Sequence, residues 1–80
     1  MDLSGRGMDM AEEIKAEMVA NVLNVLVKEG DAISNGDTVV LLESMKMEIP
    51  VFAEHTGTVT KLAVHEGDVV QEGDLIAVVE

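Results

Sequence analysis

Short aliphatic runs alternate with polar punctuation along most of the chain, and the alternation repeats. Laying residues 22 to 43 over residues 59 to 80, a shift of 37, matches VLNVLVKEGDAISNGDTVVLLE to VTKLAVHEGDVVQEGDLIAVVE. Val22, Val27, Glu29, Gly30, Asp31, Gly36, Asp37 and Glu43 recur identically at Val59, Val64, Glu66, Gly67, Asp68, Gly73, Asp74 and Glu80. Most other pairs exchange one aliphatic residue for another, as Ile33 does with Val70. Each copy therefore reads as strand, turn, short connection, turn, strand, with Val, Leu and Ile filling the strands. The Gly-Asp steps at 30, 36, 67 and 73 supply residues that tolerate positive φ where the chain must reverse. Glu13 to Met18 adds an initial strand, and Val51 to Ala53 continues the strand that leaves the middle of the chain. Neither copy can bury a sheet face alone, so the two must pack together, as a flattened β-sandwich or barrel with quasi-two-fold symmetry.

Between the copies stands LESMKMEIP, residues 42 to 50, which has no Gly, Asn or Asp to turn the chain. Intrinsic propensity favours a helix here, but Pro50 would cut it below ten residues from Val40, and the repeat favours strands. For a hairpin, possible centres are tested by what they place face to face. With Met45 and Lys46 central, Ser44 faces Met47, Leu42 faces Ile49 and Val40 faces Val51, which gathers aliphatic residues on one face. Moving the centre to Lys46 and Met47 sets Glu43 against Pro50, and a three-residue loop sets Glu43 against Ile49. The first register has two costs. Two-residue hairpins want positive φ, usually from Asn-Gly or Asp-Gly, so Met45 and Lys46 carry strain of about 1 to 3 kcal/mol each. Glu43 also faces Glu48, like charge against like. A local conflict of this kind at a tip marks a functional site, and it projects Lys46 into solvent.

Composition narrows the chemistry. The chain has 80 residues, enough for one small core, and 48% of them are apolar with Phe52 as the one aromatic. Sixteen acidic residues against five basic give a formal charge of −11, which repels phosphate backbones and anionic lipid, so neither nucleic acid nor a membrane is an expected partner. Without cysteine there are no disulfides, thiolate metal sites or cysteine nucleophile, and a reducing cytoplasm suits the chain. The sequence shows no membrane-spanning apolar run and no secretion signal. Residues 1–12 read as a flexible leader and residues 13–80 as the domain. No metal site is expected, because Glu29-Gly30-Asp31 and Glu72-Gly73-Asp74 lack the dense oxygen ligands of a calcium loop and serve as turns. His55 and His65 lie in no nucleophile pattern and read as surface residues. There is no phosphate-binding glycine loop.

The run Glu43-Ser44-Met45-Lys46-Met47 resembles the signature of biotinyl domains, in which the lysine between two methionines is biotinylated. Residues 13–80 resemble one whole minimal domain of that family. The resemblance implies an all-β flattened barrel of two four-stranded antiparallel sheets, with the carrier lysine on a tight hairpin between the half-repeats. Lipoyl domains are similar in fold, but their lysine typically follows Asp, so Met45 and Met47 favour biotin. The chain departs from the family at Glu17-Met18-Val19-Ala20, where a Pro-Met-x-Gly turn is common, and Ala20 stands where Gly57 stands in the other copy. The short path from Val27 to Val39 leaves no room for the thumb that some biotin carriers insert.

As function, the resemblance implies a carrier rather than an enzyme. A biotin protein ligase would make biotinyl-adenylate from ATP and transfer biotin to Lys46. The arm would then take up a carboxyl group in a biotin carboxylase, travel as carboxybiotin, and deliver it in a carboxyltransferase to an acceptor such as an acyl-CoA. Met45 and Met47 would give adaptable contacts to the ligase, and Glu43 and Glu48 would influence docking of partners. Two other readings stand beside this one: a lipoyl or dual biotin and lipoyl acceptor, and a binding adaptor that carries no group.

Overall fold

A computed structural model of the chain describes residues 11–80, and all regular structure among them is strand. In chain order the strands are β1 (Glu12–Lys15), β2 (Ala20–Val25), β3 (Ala32–Ile33), β4 (Thr38–Ser44), β5 (Met47–Phe52), β6 (Gly57–Leu62), β7 (Val69–Val70) and β8 (Leu75–Val79). They form two four-stranded antiparallel sheets, ordered β1-β8-β6-β3 and β5-β4-β2-β7. Adding 37 to a residue number carries β2, β3 and β4 onto β6, β7 and β8, and β1 onto most of β5. One sheet is thus the image of the other, as the repeat predicts. Of the predicted leader, residues 1–10 lie outside the described residues.

The core is aliphatic. Val39, Val40, Val59, Ile76 and Ala77 have no exposed surface, and Ile14, Val22, Leu42, Val70 and Val79 pack with them. No polar or charged side chain is buried among the described residues. β1 and β5 are edge strands, and each ends earlier than the sequence predicts, β5 at Phe52 rather than Ala53. The first strand ends at Lys15 rather than Met18, because Ala16 is drawn to the turn before β8: its N–H donates to Asp74 O at 2.9 Å and its carbonyl accepts from Gly73 N at 2.8 Å. Ile49 and Val51 face the core but remain half-buried, since β5 has a neighbour on one side only.

All four Gly-Asp steps are tight turns of one design. The glycines take φ between 90° and 96°, which an L side chain resists. Each following Asp donates its backbone N–H to the carbonyl three residues back and accepts that residue's N–H on its carboxylate, as Asp31 does with Lys28 at 3.0 Å in both directions. The turns then reach across the repeat: Gly30 N donates to Val59 O and Val59 N to Asp31 O, while Gly67 N donates to Val22 O and Val22 N to Asp68 O. Sequence reasoning saw the turns but missed the adjoining glutamates. Because β3 and β7 have two residues each, the N–H groups of Leu62 and Val25 run past them, and Glu29 and Glu66 supply the missing acceptors at 3.1 and 3.4 Å. The signal was the identity of both glutamates at the shift of 37.

Two glycines separate backbone conformation from space. A Cβ on Gly73 meets nothing within 4 Å, so Gly73→Ala is expected to cost about 1 to 2 kcal/mol from its positive φ alone. A Cβ on Gly57 collides with the backbone carbonyl of Glu80, which is held by the N–H of Thr58 at 2.8 Å. Gly57→Ala is therefore expected to be the more destabilising of the two, by urea unfolding; equal midpoints would mean that β6 and the chain end separate freely.

Candidate functional site

β4 and β5 are joined by the two residues Met45 and Lys46, and the ladder beneath them runs Ser44 to Met47, Glu43 to Glu48, Leu42 to Ile49, Leu41 to Pro50 and Val40 to Val51. This is the register that separates aliphatic from charged positions. Pro50 is tolerated because β5 is an edge strand, where an N–H can be missing. Met45 and Lys46 have φ of 54° and 64° and are the two non-glycine residues with positive φ among those described. Both values lie in the left-handed region that a type I′ hairpin demands at its two central positions. Neither residue is suited to it by side chain, so the conformation is imposed by the paired strands on either side.

The tip projects away from the core. Met45 is 88% exposed and Met47 59%, and Lys46 is exposed between them. Among the described residues no carboxylate comes within 4.0 Å of the Lys46 Nζ, which leaves the amine in solvent at the end of a four-carbon stem. Glu43 and Glu48 sit opposite each other on the outward face, half-buried and exposed respectively. Their mutual repulsion works against the hairpin by a few tenths of a kcal/mol, about the scale of other like-charge cross-strand pairs. The arrangement can present one nucleophilic amine at a fixed place, with thioether and carboxylate contacts around it. It brings no second reactive group to the amine.

The histidines stand apart from this site. His55 lies beyond the far end of β5, where its Nδ1 is 3.2 Å from Glu12 Oε1, and His65 Nδ1 is 3.9 Å from Asp68 Oδ2 within a Gly-Asp turn. Glu12, read from sequence as the last residue of the leader, belongs to β1 and also accepts the N–H of Glu54 at 3.2 Å. No group of three His, Asp or Glu residues at metal-binding distances occurs among the described residues. No helix there is long and apolar enough to cross a membrane.

Comparison with known proteins adds the family. A model of the biotin/lipoyl family, described as "Biotin-requiring enzyme", matches residues 8–79. A biotinylated protein TB7.3 homolog of Mycolicibacterium smegmatis is 71% identical over 42 residues, which are 52% of this chain and 59% of that protein, so the match spans little more than half of the relative. The methylmalonyl-CoA carboxyltransferase 1.3S subunit of Propionibacterium freudenreichii subsp. shermanii is 53% identical over 36 residues, 45% of this chain and 29% of that one. Among solved structures, the urea carboxylase of Kluyveromyces lactis superposes with a TM-score of 0.83 at 34% identity, covering 100% of this chain and 7% of that one.

The strain at the tip is measurable. Replacing Met45 by Asn and Lys46 by Gly gives the turn the residues its φ values favour, and the double variant is expected to be more stable by about 1 to 3 kcal/mol, raising the thermal midpoint by several degrees. An unchanged midpoint would mean that the turn stores no backbone strain.

Proposed function

The chain belongs to the biotin/lipoyl family, and from that premise we propose that it is a biotin carboxyl carrier whose acceptor is the amine of Lys46. The observation that carries the reading is the exposed lysine between two exposed methionines on a strained, two-residue hairpin. Such an amine fits covalent attachment of biotin: it is unhindered, it is free of ion pairs among the described residues, and a stiff sheet fixes where it is offered. The likeness to a biotinylated protein and to a segment of a urea carboxylase supports the choice of group.

In the attachment step a biotin protein ligase presents biotin as its adenylate. The ammonium of Lys46 first gives up a proton to expose the Nζ lone pair, which attacks the acyl carbon; the bond from that carbon to the phosphate oxygen breaks, AMP departs with the bonding electrons, and the nitrogen loses one further proton to leave the neutral amide N–H. Among the described residues no carboxylate lies within 4.0 Å of Nζ, and the base is assigned to the ligase. Once bound, biotin supplies a ureido ring that takes up a carboxyl group in a biotin carboxylase and gives it up in a carboxyltransferase. The chain's own part is to hold, orient and transport, as a carrier and not a catalyst. The setting we propose is an acyl-CoA carboxylase of the cytoplasm; the likeness to a methylmalonyl-CoA carboxyltransferase subunit supports the acyl-CoA. Met45, Met47, Glu43 and Glu48 are the residues proposed to meet the partners.

Co-expression with a biotin protein ligase and biotin is expected to raise the intact mass by a single biotinyl increment, and Lys46→Arg, which keeps the charge but cannot form the amide, is expected to lose it. A lipoyl increment, an unmodified wild type or a biotinylated arginine variant would each overturn the reading.

A further inference from the structure

Each repeat serves as a control on the other. Positions 37 residues apart hold equivalent places in the frame, so an apolar residue that is exposed in one half and replaced by a small or polar residue in the other is not required by the frame. Met18, Val19, Leu26, Phe52 and Val69 are exposed, and their equivalents are His55, Thr56, Ala63, Lys15 and Ala32. The fold therefore asks for none of the five.

Two of them converge on the carrier lysine. Val19 and Val69, each 62% exposed, line with Met45 a surface depression of about 280 Å³ that extends to Lys46. The pairing explains why they meet. Asn21 lies opposite Val69 on one side and opposite Glu43 on the other, and Glu43 lies opposite Glu48, so these residues form one row across the outer face of the sheet just below the hairpin. Val19 leads into β2 at the same end, and Met45 overhangs from the turn. Val19, Ala20, Met45 and Val69 share the lining of the depression with Asn21, Glu43, Ser44 and Lys46, so apolar contacts stand beside polar ones and the lysine is its one basic group.

We propose that this depression seats the biotin protein ligase, through an apolar side chain of the ligase that enters between Val19, Val69 and Met45 and through basic groups beside it that meet Glu43 and Glu48. The proposal rests on the reading of Lys46 as the biotin acceptor. Charge argues for a basic partner: the chain carries −11, and cations laid against Glu43 and Glu48 offset the repulsion that the free hairpin tolerates. Distance argues for the ligase over the carboxylase. The amide forms at Nζ itself, so the ligase must come within one lysine side chain of the hairpin. A carboxylase meets the ring at the far end of the lysyl-biotin arm and has no such need. Exposed, unneeded valines at the base are the contacts a ligase reaches.

The protein supplies its own test substitutions. Val19→Thr and Val69→Ala install the residues found at positions 56 and 32, which the frame already accommodates. In the double variant the kcat/KM for biotin transfer by the ligase is expected to fall roughly tenfold or more, carried by KM, with the unfolding midpoint held. Val19→Thr alone lies outside every strand and is expected to fall in the same direction. Leu26→Ala, which installs the residue of position 63 far from the hairpin, is expected to label at the wild-type rate. Double variant driven to full biotinylation with excess ligase is expected to accept a carboxyl group from a biotin carboxylase with wild-type KM. Wild-type labelling of the double variant, equal slowing by Leu26→Ala, or a defect confined to carboxylation would overturn the proposal while leaving Lys46 as acceptor. Failure of the acceptor reading is distinguishable, because there the wild type itself stays unlabelled or Lys46→Arg is labelled.

Discussion

Each Gly-Asp turn of one half is bonded to the backbone of the other, in a strand or just past the end of one. Gly30 and Asp31 embrace Val59, Gly67 and Asp68 embrace Val22, and Gly36 and Asp37 hold Ala53 as Gly73 and Asp74 hold Ala16. The glutamates beside the turns extend the exchange, Glu29 to Leu62 and Glu66 to Val25. No half can satisfy its own backbone without the other, and burial of the aliphatic face has the same requirement. Folding is therefore a single event for the described domain, with no stable half. For a chain of this size the tight coupling matters, since its core is small and made almost wholly of Val, Leu, Ile and Ala.

That reciprocity yields a frame with two equivalent ends, and the ends are put to different uses. At one of them Glu80 closes against Thr58, with Gly57 leaving space for its carbonyl. At the other the equivalent residue, Glu43, continues into the hairpin, and Ala20 fills the place of Gly57. Strand pairing along the whole of β4 and β5 forces the two residues between them into the left-handed region. The strain is local and the support is distributed, so the tip is held in one geometry while the exposed lysine side chain extends beyond it. A stiff base under a flexible arm is what a carrier of a covalently held group needs.

How much of this could be read from the sequence depended on whether the physical cause was local. The hairpin register was legible because one centre alone kept Glu43 and Glu48 off the aliphatic face, and the conflict between the turn geometry and Met45-Lys46 was legible because two-residue hairpins admit few conformations. The sheets followed from the shift of 37. Targets of long-range hydrogen bonds were not legible: Glu29 and Leu62 are 33 residues apart, Glu12 and Glu54 are 42, and nothing in the local pattern joins them. The end of β1 was misjudged for a related reason, as Ala16 answers to a turn near residue 74 rather than to its neighbours. The exposure of Val19 and Val69 was not legible either, since an isolated valine reads the same whether it faces core or water.

Val19 and Val69 show what an internal repeat adds to the reading of a surface. An exposed valine in isolation is ordinary, because folded proteins leave much apolar area in contact with water. Exposed valines whose structural equivalents are threonine and alanine are a different observation, since the same frame has been built beside them without the apolar group. Burial cannot account for the difference, nor can strand propensity at position 19, which lies outside any strand. What remains is contact with another molecule. That Val19 and Val69 should flank the one strained turn, at the end of the frame where the chain goes on to present a lysine, ties the departure from symmetry to the chemistry at the tip.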